Sequence, residues 1–268
     1  MKIFILRLMT PILVLPILLV GRPARAAAAA LDAPNQASPL AQPRELQVPE
    51  DPELRTERTV FQDGTYQYFV YVPHGYPARA PSGAVFLLHG VLGSSPWLIE
   101  SWKALAEEKG FLLVEPALAT PRTSRESLEP AVPDLMRSLA AQVKSAWKID
   151  PHRLYLFGNS SGGVLTFDVA LLDGDLFAAA GVHGGVIYPN HDWILRRATR
   201  KTPIALFIGD HDQYFPLVEA RRTRDLLQAK GFPLDYVELP DHDHDYFAVA
   251  SEVNRQAWTF FNQSSPTK

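Results

Sequence analysis

One stretch of ten residues, 154–163, constrains the fold of this chain more than any other. It reads Leu-Tyr-Leu-Phe-Gly-Asn-Ser-Ser-Gly-Gly, an apolar run followed at once by a glycine-rich turn. An apolar run of this length, bounded by Asp150-Pro151 and Gly158, is typical of a strand buried on both faces of a parallel sheet. The apolar run at 164–172 predicts a helix. The sequence therefore predicts a strand, a tight turn and a helix in direct succession.

The turn itself has the pattern G-x-S-x-G, with Ser160 at its centre. Between a strand and a helix, this pattern lifts the serine out of the surface as a nucleophile. The helix start also directs free N–H groups and the positive end of the helix dipole toward it. The pattern alone is common in loops, so a base, an acid and oxyanion donors must come from elsewhere in the chain.

Strands and helices alternate along the rest of the chain. The sequence predicts a hairpin over 60–72 with its turn at Asp63-Gly64. Further strands are predicted at 84–88, 111–114, 178–182, 204–208 and 234–239, and further helices at 96–110, 132–147, 217–230 and 247–261. The alternation predicts an α/β fold with a mostly parallel, doubly wound sheet and helices on both faces. Because only about twenty residues separate the strands near Val182 and Ile204, no large cap domain is expected.

Candidates for the acid and the base follow two later strands. Asp212 ends a Gly-Asp-His-Asp segment after strand 204–208, and His244 lies in an acidic loop after strand 234–239. The carboxyl ends of parallel strands meet at one edge of a sheet, so both side chains are expected near Ser160. The chain order Ser, Asp, His is the order of α/β-hydrolases and differs from that of the chymotrypsin and subtilisin folds.

Both assignments have close competitors in the same loops. Asp210 could supply the carboxylate instead of Asp212, and His242 could supply the imidazole instead of His244. The neighbouring carboxylates could also form a metal site with Asp210, but solvated loop charge is the favoured interpretation because no ligand spacing is evident. These carboxylates are Asp241, Asp243 and Asp245. We therefore expect no metal and no cofactor.

Acyl transfer by serine also needs donors for the oxyanion. The candidates are the backbone N–H groups of Ser161, at the helix start, and of Val91, in the His-Gly loop after strand 84–88. His89 and His183 each precede a glycine at a strand end, and we expect them to line the cleft or a turn.

Aromatic and basic residues elsewhere are predicted to have structural roles. Trp97, Trp102, Trp147 and Trp258 occur at helical core spacing, whereas Trp193 lies in a loop and could line the cleft. A basic run could recognise a substrate carboxylate, but a solvated helix face is the favoured interpretation. The run consists of Arg196, Arg197, Arg200 and Lys201.

Residues 1–26 have the pattern of a signal peptide. Lys2 and Arg7 precede an apolar segment at 8–20, and Ala24-Arg25-Ala26 offers a cleavage site between small residues. The segment is shorter than a membrane span and contains two prolines. We expect export to the periplasm or outside the cell, cleavage near Ala26, and no stable membrane insertion once the signal is removed.

The remaining organisation follows from composition. Residues 27–55, rich in Ala and Pro, predict a flexible spacer; residues 56–263 form the predicted catalytic domain, and 264–268 a tail. The formal net charge of −3 gives no reason to expect nucleic acid as a partner. With no cysteine in the chain, disulfides, thiolate metal sites and thiol nucleophiles are excluded.

At these residues the chain resembles the α/β-hydrolase superfamily, over about 59–261. The segments 72–76 and 149–154 and the Gly-Asn-Ser-Ser-Gly-Gly turn are similar to those of feruloyl esterases and polyhydroxybutyrate depolymerase-like esterases. The segment 243–247 resembles the histidine segment of the esterase D group. The resemblance favours Asp212 and His244 over their competitors. It implies a serine esterase that forms an acyl-enzyme without a cofactor.

The sequence thus predicts an exported serine hydrolase of carboxylic esters. Its expected partner is a small-molecule or polymer-linked ester. Two alternatives remain open at this point: a serine peptidase similar to prolyl oligopeptidases, and a non-catalytic exported binding protein of the same fold.

Overall fold

The computed structural model describes residues 53–61, 64–76, 81–90, 96–118 and 132–264. The predicted signal peptide, nearly all of the predicted spacer, and Val91 lie outside these ranges. The strands are β1 (Leu54–Phe61), β2 (Gly64–Tyr71), β3 (Ser82–Leu88), β4 (Leu112–Pro116), β5 (Ile149–Asn159), β6 (Ala179–His183), β7 (Ile204–Gly209) and β8 (Leu234–Leu239). The helices are α1 (Trp97–Lys109), α2 (Val132–Ala146), α3 (Ser161–Leu172), α4 (Ile194–Arg197), α5 (Leu217–Ala229) and α6 (Tyr246–Ser264).

The strands form one sheet in the order β1-β2-β4-β3-β5-β6-β7-β8. The hairpin β1–β2 and its neighbour β4 pair antiparallel, and the six strands from β4 to β8 along the sheet pair parallel. The predicted class, a mostly parallel α/β sheet of the α/β-hydrolase type, is confirmed. The central strand β5 is the one that leads into Ser160, so the turn lies in the middle of the sheet's carboxyl edge.

Helices cover both faces of the sheet, as the period-2 alternation of its strands requires. On β3, Phe86 and Leu88 belong to the same core cluster as the buried residues of α2 and α3. Val85 and Leu87, from the other side of the strand, join the cluster of α1 and α6. Both faces of β3 are therefore buried, which explains why its sequence is a continuous apolar run.

Several element boundaries differ from those predicted. Helix α3 begins at Ser161, because the glycine turn itself enters the helix before the apolar run starts. Strand β1 begins at Leu54, within the residues that composition assigns to the spacer. The basic run begins on the short helix α4, where Arg196 and Arg197 are exposed to solvent, as the favoured interpretation of a solvated helix face predicts.

Two tryptophans differ from their sequence-based assignments. Trp97 was predicted to pack in the core, but it is the first residue of α1 and is 60% exposed. Trp193 could have lined the cleft, but it packs against the core, and the Arg197 guanidinium lies 5.8 Å from the centroid of its ring. Trp102 and Trp258 are buried, as predicted.

Candidate active site

The predicted nucleophile Ser160 lies between β5 and α3 in a backbone conformation that non-glycine residues rarely adopt. Its φ is 60° and its ψ is −124°. The Ser160 N–H donates to the carbonyl of His183 (2.9 Å), and the Val164 N–H donates to the carbonyl of Ser160 (3.1 Å). The neighbouring strand and helix thus hold the strained residue in place, a feature that clusters at functional sites.

Close backbone packing explains the glycines of the pattern. A Cβ added to Gly162 would lie 1.9 Å from the carbonyl oxygen of Leu88, and one added to Gly158 would lie 2.2 Å from that of Gly162. No side chain fits at either position. The glycines therefore allow α3 to begin directly against β3 and β5, which leaves the serine at the apex of the turn.

A hydrogen-bonded chain joins Ser160, His244 and Asp212. The Ser160 Oγ lies 2.9 Å from His244 Nε2, and His244 Nδ1 lies 2.7 Å from Asp212 Oδ2. Because a carboxylate only accepts, Nδ1 is the protonated nitrogen, and Nε2 is left to accept from the serine hydroxyl. The three loops, far apart in the sequence, thus converge at the carboxyl edge of the sheet.

The Asp212 carboxylate is held in its ionised form. Its Oδ1 accepts the backbone N–H groups of Tyr214 and Phe215, each at 2.9 Å, and its side chain is fully buried. Burial alone would raise the pKa of Asp212, but the hydrogen bonds from His244 and these two amides outweigh it and lower the pKa below its ordinary value. The carboxylate is therefore charged and oriented toward the imidazole at neutral pH.

The His244 ring is enclosed by residues that sequence reasoning missed. The Phe215 ring stacks on it at 5.5 Å between centroids, and the Tyr214 ring meets it edge-on at 4.9 Å. Behind it, Gly184 has a φ of 56°, and a Cβ there would lie 2.9 Å from His244 Cε1. The available signals were the aromatic pair Tyr214-Phe215, which follows Asp212 after one residue, and the glycine after His183.

The competing residues Asp210 and His242 do not reach Ser160; they join the two loops to each other. The Asp210 Oδ1 accepts the His242 N–H at 3.2 Å, and the His242 carbonyl accepts the His211 N–H at 2.9 Å. Their backbone bonds hold the loop of Asp212 against the loop of His244.

His183 and His89 lie beside the turn, in the positions expected of wall residues. Register pairs His183 with Asn159 across β6 and β5, and His183 Nδ1 lies 3.0 Å from Asn159 Oδ1. Burial, followed by the nearby His242 and His244, lowers the pKa of His183 to about 3. Burial also lowers the pKa of His89, whose Nδ1 lies 2.9 Å from the carbonyl of Gly90. Both imidazoles are neutral at physiological pH.

Ser160 and His244 open into a cavity of about 430 Å³ at this edge of the sheet. Its walls are mostly apolar, and three of its aromatic side chains, Trp97, Tyr214 and Phe247, are exposed at the rim. Ser161, at the start of α3, also lines it, whereas the second predicted oxyanion donor, Val91, lies outside the described residues.

The acidic loop beside the cavity is solvated. Asp241, Asp243 and Asp245 are exposed, and the latter two accept backbone N–H groups of their own loop. Within the described ranges, no group of three or more His, Asp or Glu side chains is arranged to hold a metal ion. In the same ranges, no helix combines the length and apolar character needed to cross a membrane.

A comparison with known protein families shows to which family the chain belongs. Residues 74–262, more than half of the sequence, match the model of the dienelactone hydrolase family. The chain belongs to the dienelactone hydrolase family. The predicted resemblance to α/β-hydrolases is thereby confirmed.

One curated protein similar to this dienelactone hydrolase family member is a depolymerase. Over 134 residues the chain is 31% identical to poly(3-hydroxyalkanoate) depolymerase C of Paucimonas lemoignei, a match that covers 46% of this chain and 32% of the depolymerase. The chain therefore spans about a third of that relative's length. The family and this relative support a hydrolase of carboxylic esters, as predicted.

Solved structures show the same fold at low identity. A ferulic acid esterase from Anaeromyces mucronatus has a TM-score of 0.64 and 17% identity, covering 78% of this chain and 90% of its own. A putative dipeptidyl aminopeptidase IV from Bacteroides ovatus has a TM-score of 0.66 and 13% identity, covering 78% of this chain and 35% of its own. Because both esterases and a peptidase match, these likenesses show the fold and do not discriminate between substrates.

Proposed function

We propose that the protein is an exported serine esterase that hydrolyses carboxylic esters through an acyl-enzyme. The observation that carries this proposal is the hydrogen-bonded chain from Ser160 Oγ through His244 to Asp212, with distances of 2.9 and 2.7 Å. A hydroxyl within hydrogen-bond reach of an imidazole that a buried carboxylate orients is the arrangement that activates serine for nucleophilic attack.

In the first half-reaction Ser160 Oγ forms a bond to the ester carbonyl carbon while His244 Nε2 takes its proton. The tetrahedral intermediate collapses when the bond to the alcohol oxygen breaks, and His244 returns the proton to that oxygen. In the second half-reaction water attacks the acyl group by the same route, which releases the acid and restores the Ser160 hydroxyl. Asp212 keeps His244 in the required tautomer and stabilises its charged form.

The intermediate's negative oxygen needs donors that already point at it. We assign this role to the Ser161 N–H, at the N-terminus of α3, and to the Val91 N–H in the loop after β3. The positive end of the α3 dipole adds to the stabilisation.

The substrate we propose is an uncharged ester, either a small molecule or linked to a polymer. The names of the depolymerase and ferulic acid esterase relatives are compatible with esters of both kinds. The mostly apolar walls of the cavity favour an apolar group next to the reacting ester.

Replacement of Ser160 tests the proposal directly. Ser160→Ala is expected to abolish measurable hydrolysis of p-nitrophenyl acetate by the purified protein. Ser145→Ala is the matched control, because this serine is exposed on α2 and its hydroxyl bonds only the Gln142 carbonyl. Hydrolysis by Ser160→Ala at the wild-type rate would overturn the assignment of the nucleophile.

The two alternative functions predict different results with the same protein. A peptidase would hydrolyse the amide of a given acyl group at a measurable rate, even though the matching ester reacts faster. The esterase that we propose hydrolyses the ester and leaves the amide intact. A non-catalytic binding protein would not react with a fluorophosphonate probe, whereas an activated Ser160 reacts with it at one site.

Export is the second part of the proposal and has its own test. The residues that support it are Lys2, Arg7, the apolar segment at 8–20 and the small residues ending at Ala26. N-terminal sequencing of the protein recovered outside the cytoplasm is expected to begin at Ala27. Recovery only in the cytoplasm, with Met1 retained, would contradict export and leave the proposed chemistry intact.

A further inference from the structure

A second groove adjoins the reacting cavity on the side where α1 and α6 begin. It measures about 380 Å³ and is lined by Trp97, Glu100, Ser101, Phe247 and Ala250. Trp97 and Phe247 also line the cavity of Ser160, and their rings meet edge-on at 6.2 Å between centroids. The pair therefore forms a wall shared by the two depressions.

Both shared side chains are exposed although they are large and apolar. Trp97 is 60% and Phe247 is 48% exposed, and each is the first or second residue of its helix. Exposed apolar side chains that adjoin in one patch beside a cavity mark a binding surface more often than scattered ones do. Neither ring contributes to the core clusters of buried residues that stabilise the sheet.

We propose that this groove is a second substrate subsite, which takes an uncharged apolar unit one step removed from the scissile ester. An aromatic or branched group would cross the Trp97–Phe247 wall and lie over Ala250, with the ester at Ser160. The inference rests on the proposed function and extends it to substrates longer than a simple acetate.

The charged side chains around the groove favour an uncharged unit over an anionic one. Glu100 lines it, and the adjacent cation Lys103 already bonds Glu100 at 2.5 Å and lies 5.2 Å from the Tyr71 ring centroid. Asp245 lines the first cavity. A carboxylate placed here would compete with Glu100 for Lys103 and lie near Asp245, whereas a ring would contact the faces and edges of Trp97 and Phe247.

Filling the groove tests this subsite without altering the reacting centre. Ala250→Phe places a ring in the groove, and Ala248→Phe adds the same ring to an exposed position of α6 outside it. The probes are ω-phenylalkanoyl esters of increasing chain length with one leaving group, and acetates of ω-phenylalkanols. The first series reports a unit on the acyl side and the second a unit on the alcohol side.

In the wild type we expect kcat/KM to rise with chain length in one of the two series. Ala250→Phe is expected to lower that gain about 10- to 100-fold relative to a simple acetate, since a buried phenyl group contributes about that factor. Ala248→Phe should retain the gain. Trp97→Ala, with the exposed Val218→Ala as its control, should also lose it, and it decides the outcome if Ala250→Phe does not fold.

If Ala250→Phe and Trp97→Ala hydrolysed acetate and showed the same chain-length dependence as the wild type in both series, the subsite proposal would be overturned. The esterase proposal would stand. No Ser160-dependent hydrolysis of any ester by the wild type would overturn both proposals. A carboxylate at the end of the chain that binds as well as the phenyl group would contradict the stated chemistry.

Discussion

The reacting centre and the rim of its cavity are built in opposite ways. His244 and Asp212 are enclosed: hydrogen bonds fill both nitrogens of the ring and both oxygens of the carboxylate, and two aromatic rings contact the imidazole. At the rim, Trp97 and Phe247 are exposed. Their rings contact each other, and the Phe247 ring also contacts that of Tyr246.

The difference indicates which part of the molecule sets the chemistry and which sets the substrate. A proton can be transferred only if its donor and acceptor stay within hydrogen-bond reach, so the centre must be rigid. Apolar contact is non-directional and tolerates side chains that move, so the rim can accept different groups. Changes at the centre should therefore act on kcat for every ester, and changes at the rim should act on the choice between esters.

The largest expected effect comes from the two histidines of one loop. His244→Gln removes the proton acceptor, so kcat/KM should fall by about 10⁴-fold or more. His242→Gln retains the backbone bonds to Asp210 and His211 and should cost about tenfold at most. Steady-state kinetics on p-nitrophenyl acetate measure both variants. Equal losses would contradict the separation of their roles.

The two aspartates give a slightly smaller contrast. Asp212→Asn can still accept the amides of Tyr214 and Phe215, but its NH₂ group would face His244 Nδ1 and favour the wrong tautomer. We expect kcat to fall by about 10³- to 10⁴-fold. Asp210→Asn also retains its acceptor oxygen and should change kcat little. If Asp210→Asn were the more damaging variant, the carboxylate would be misassigned.

Alanine variants of two glycines distinguish the effect of crowding His244 from the effect of backbone strain alone. Gly184 and Gly231 both have positive φ, so alanine should cost about 1 kcal/mol of unfolding free energy at either position. Only at Gly184 would the added Cβ press on His244, at 2.9 Å from Cε1; at Gly231 it meets the flexible end of Lys201. Gly184→Ala should therefore lower kcat about 10- to 100-fold, and Gly231→Ala should not. Thermal unfolding and kinetics on the same samples distinguish the two effects.

The last contrast concerns the pH dependence of stability and does not involve kcat. Burial lowers the pKa of His183 to about 3 from 6.5, so below pH 6.5 the unfolded chain binds a proton that the folded protein does not. Stability that is present above pH 6.5 is therefore lost as the pH falls toward 3, by up to about 1.4 kcal/mol per pH unit from this residue. His89 acts in the same direction.

His183→Asn should reduce that slope, whatever it does to stability at neutral pH. Urea unfolding at pH 7 and pH 5, for the wild type and the variant, gives the difference directly. An unchanged slope would show that folding does not lower the pKa of His183.

Much of the fold could be predicted from the sequence because its strands are buried on both faces. Continuous apolar runs such as 154–157, separated by helical periodicity and glycines, leave few alternatives to a parallel sheet. The strand at Leu234–Leu239 and the left-handed helix end at Gly110 agree with the prediction. Because Ser160, Asp212 and His244 each follow one of these apolar runs, they could be placed at the carboxyl ends of strands.

The remaining features could not be predicted because they depend on how distant segments are placed against each other, which local sequence patterns do not encode. Asp210 and Asp212 share one loop, and only the path of the turn decides which carboxylate faces His244. The pairing of Asn159 with His183 requires the register of β5 against β6. Trp97 has helical core spacing, but it is the first residue of α1 and is exposed, whereas the next two residues are buried.

The most direct test of the central claim is the intact mass and peptide map of the protein after reaction with a fluorophosphonate. We expect one adduct per chain, on the peptide that contains Ser160, and none in Ser160→Ala or after acid unfolding. An adduct on another residue, or an unreactive folded protein that still hydrolyses esters, would contradict the account.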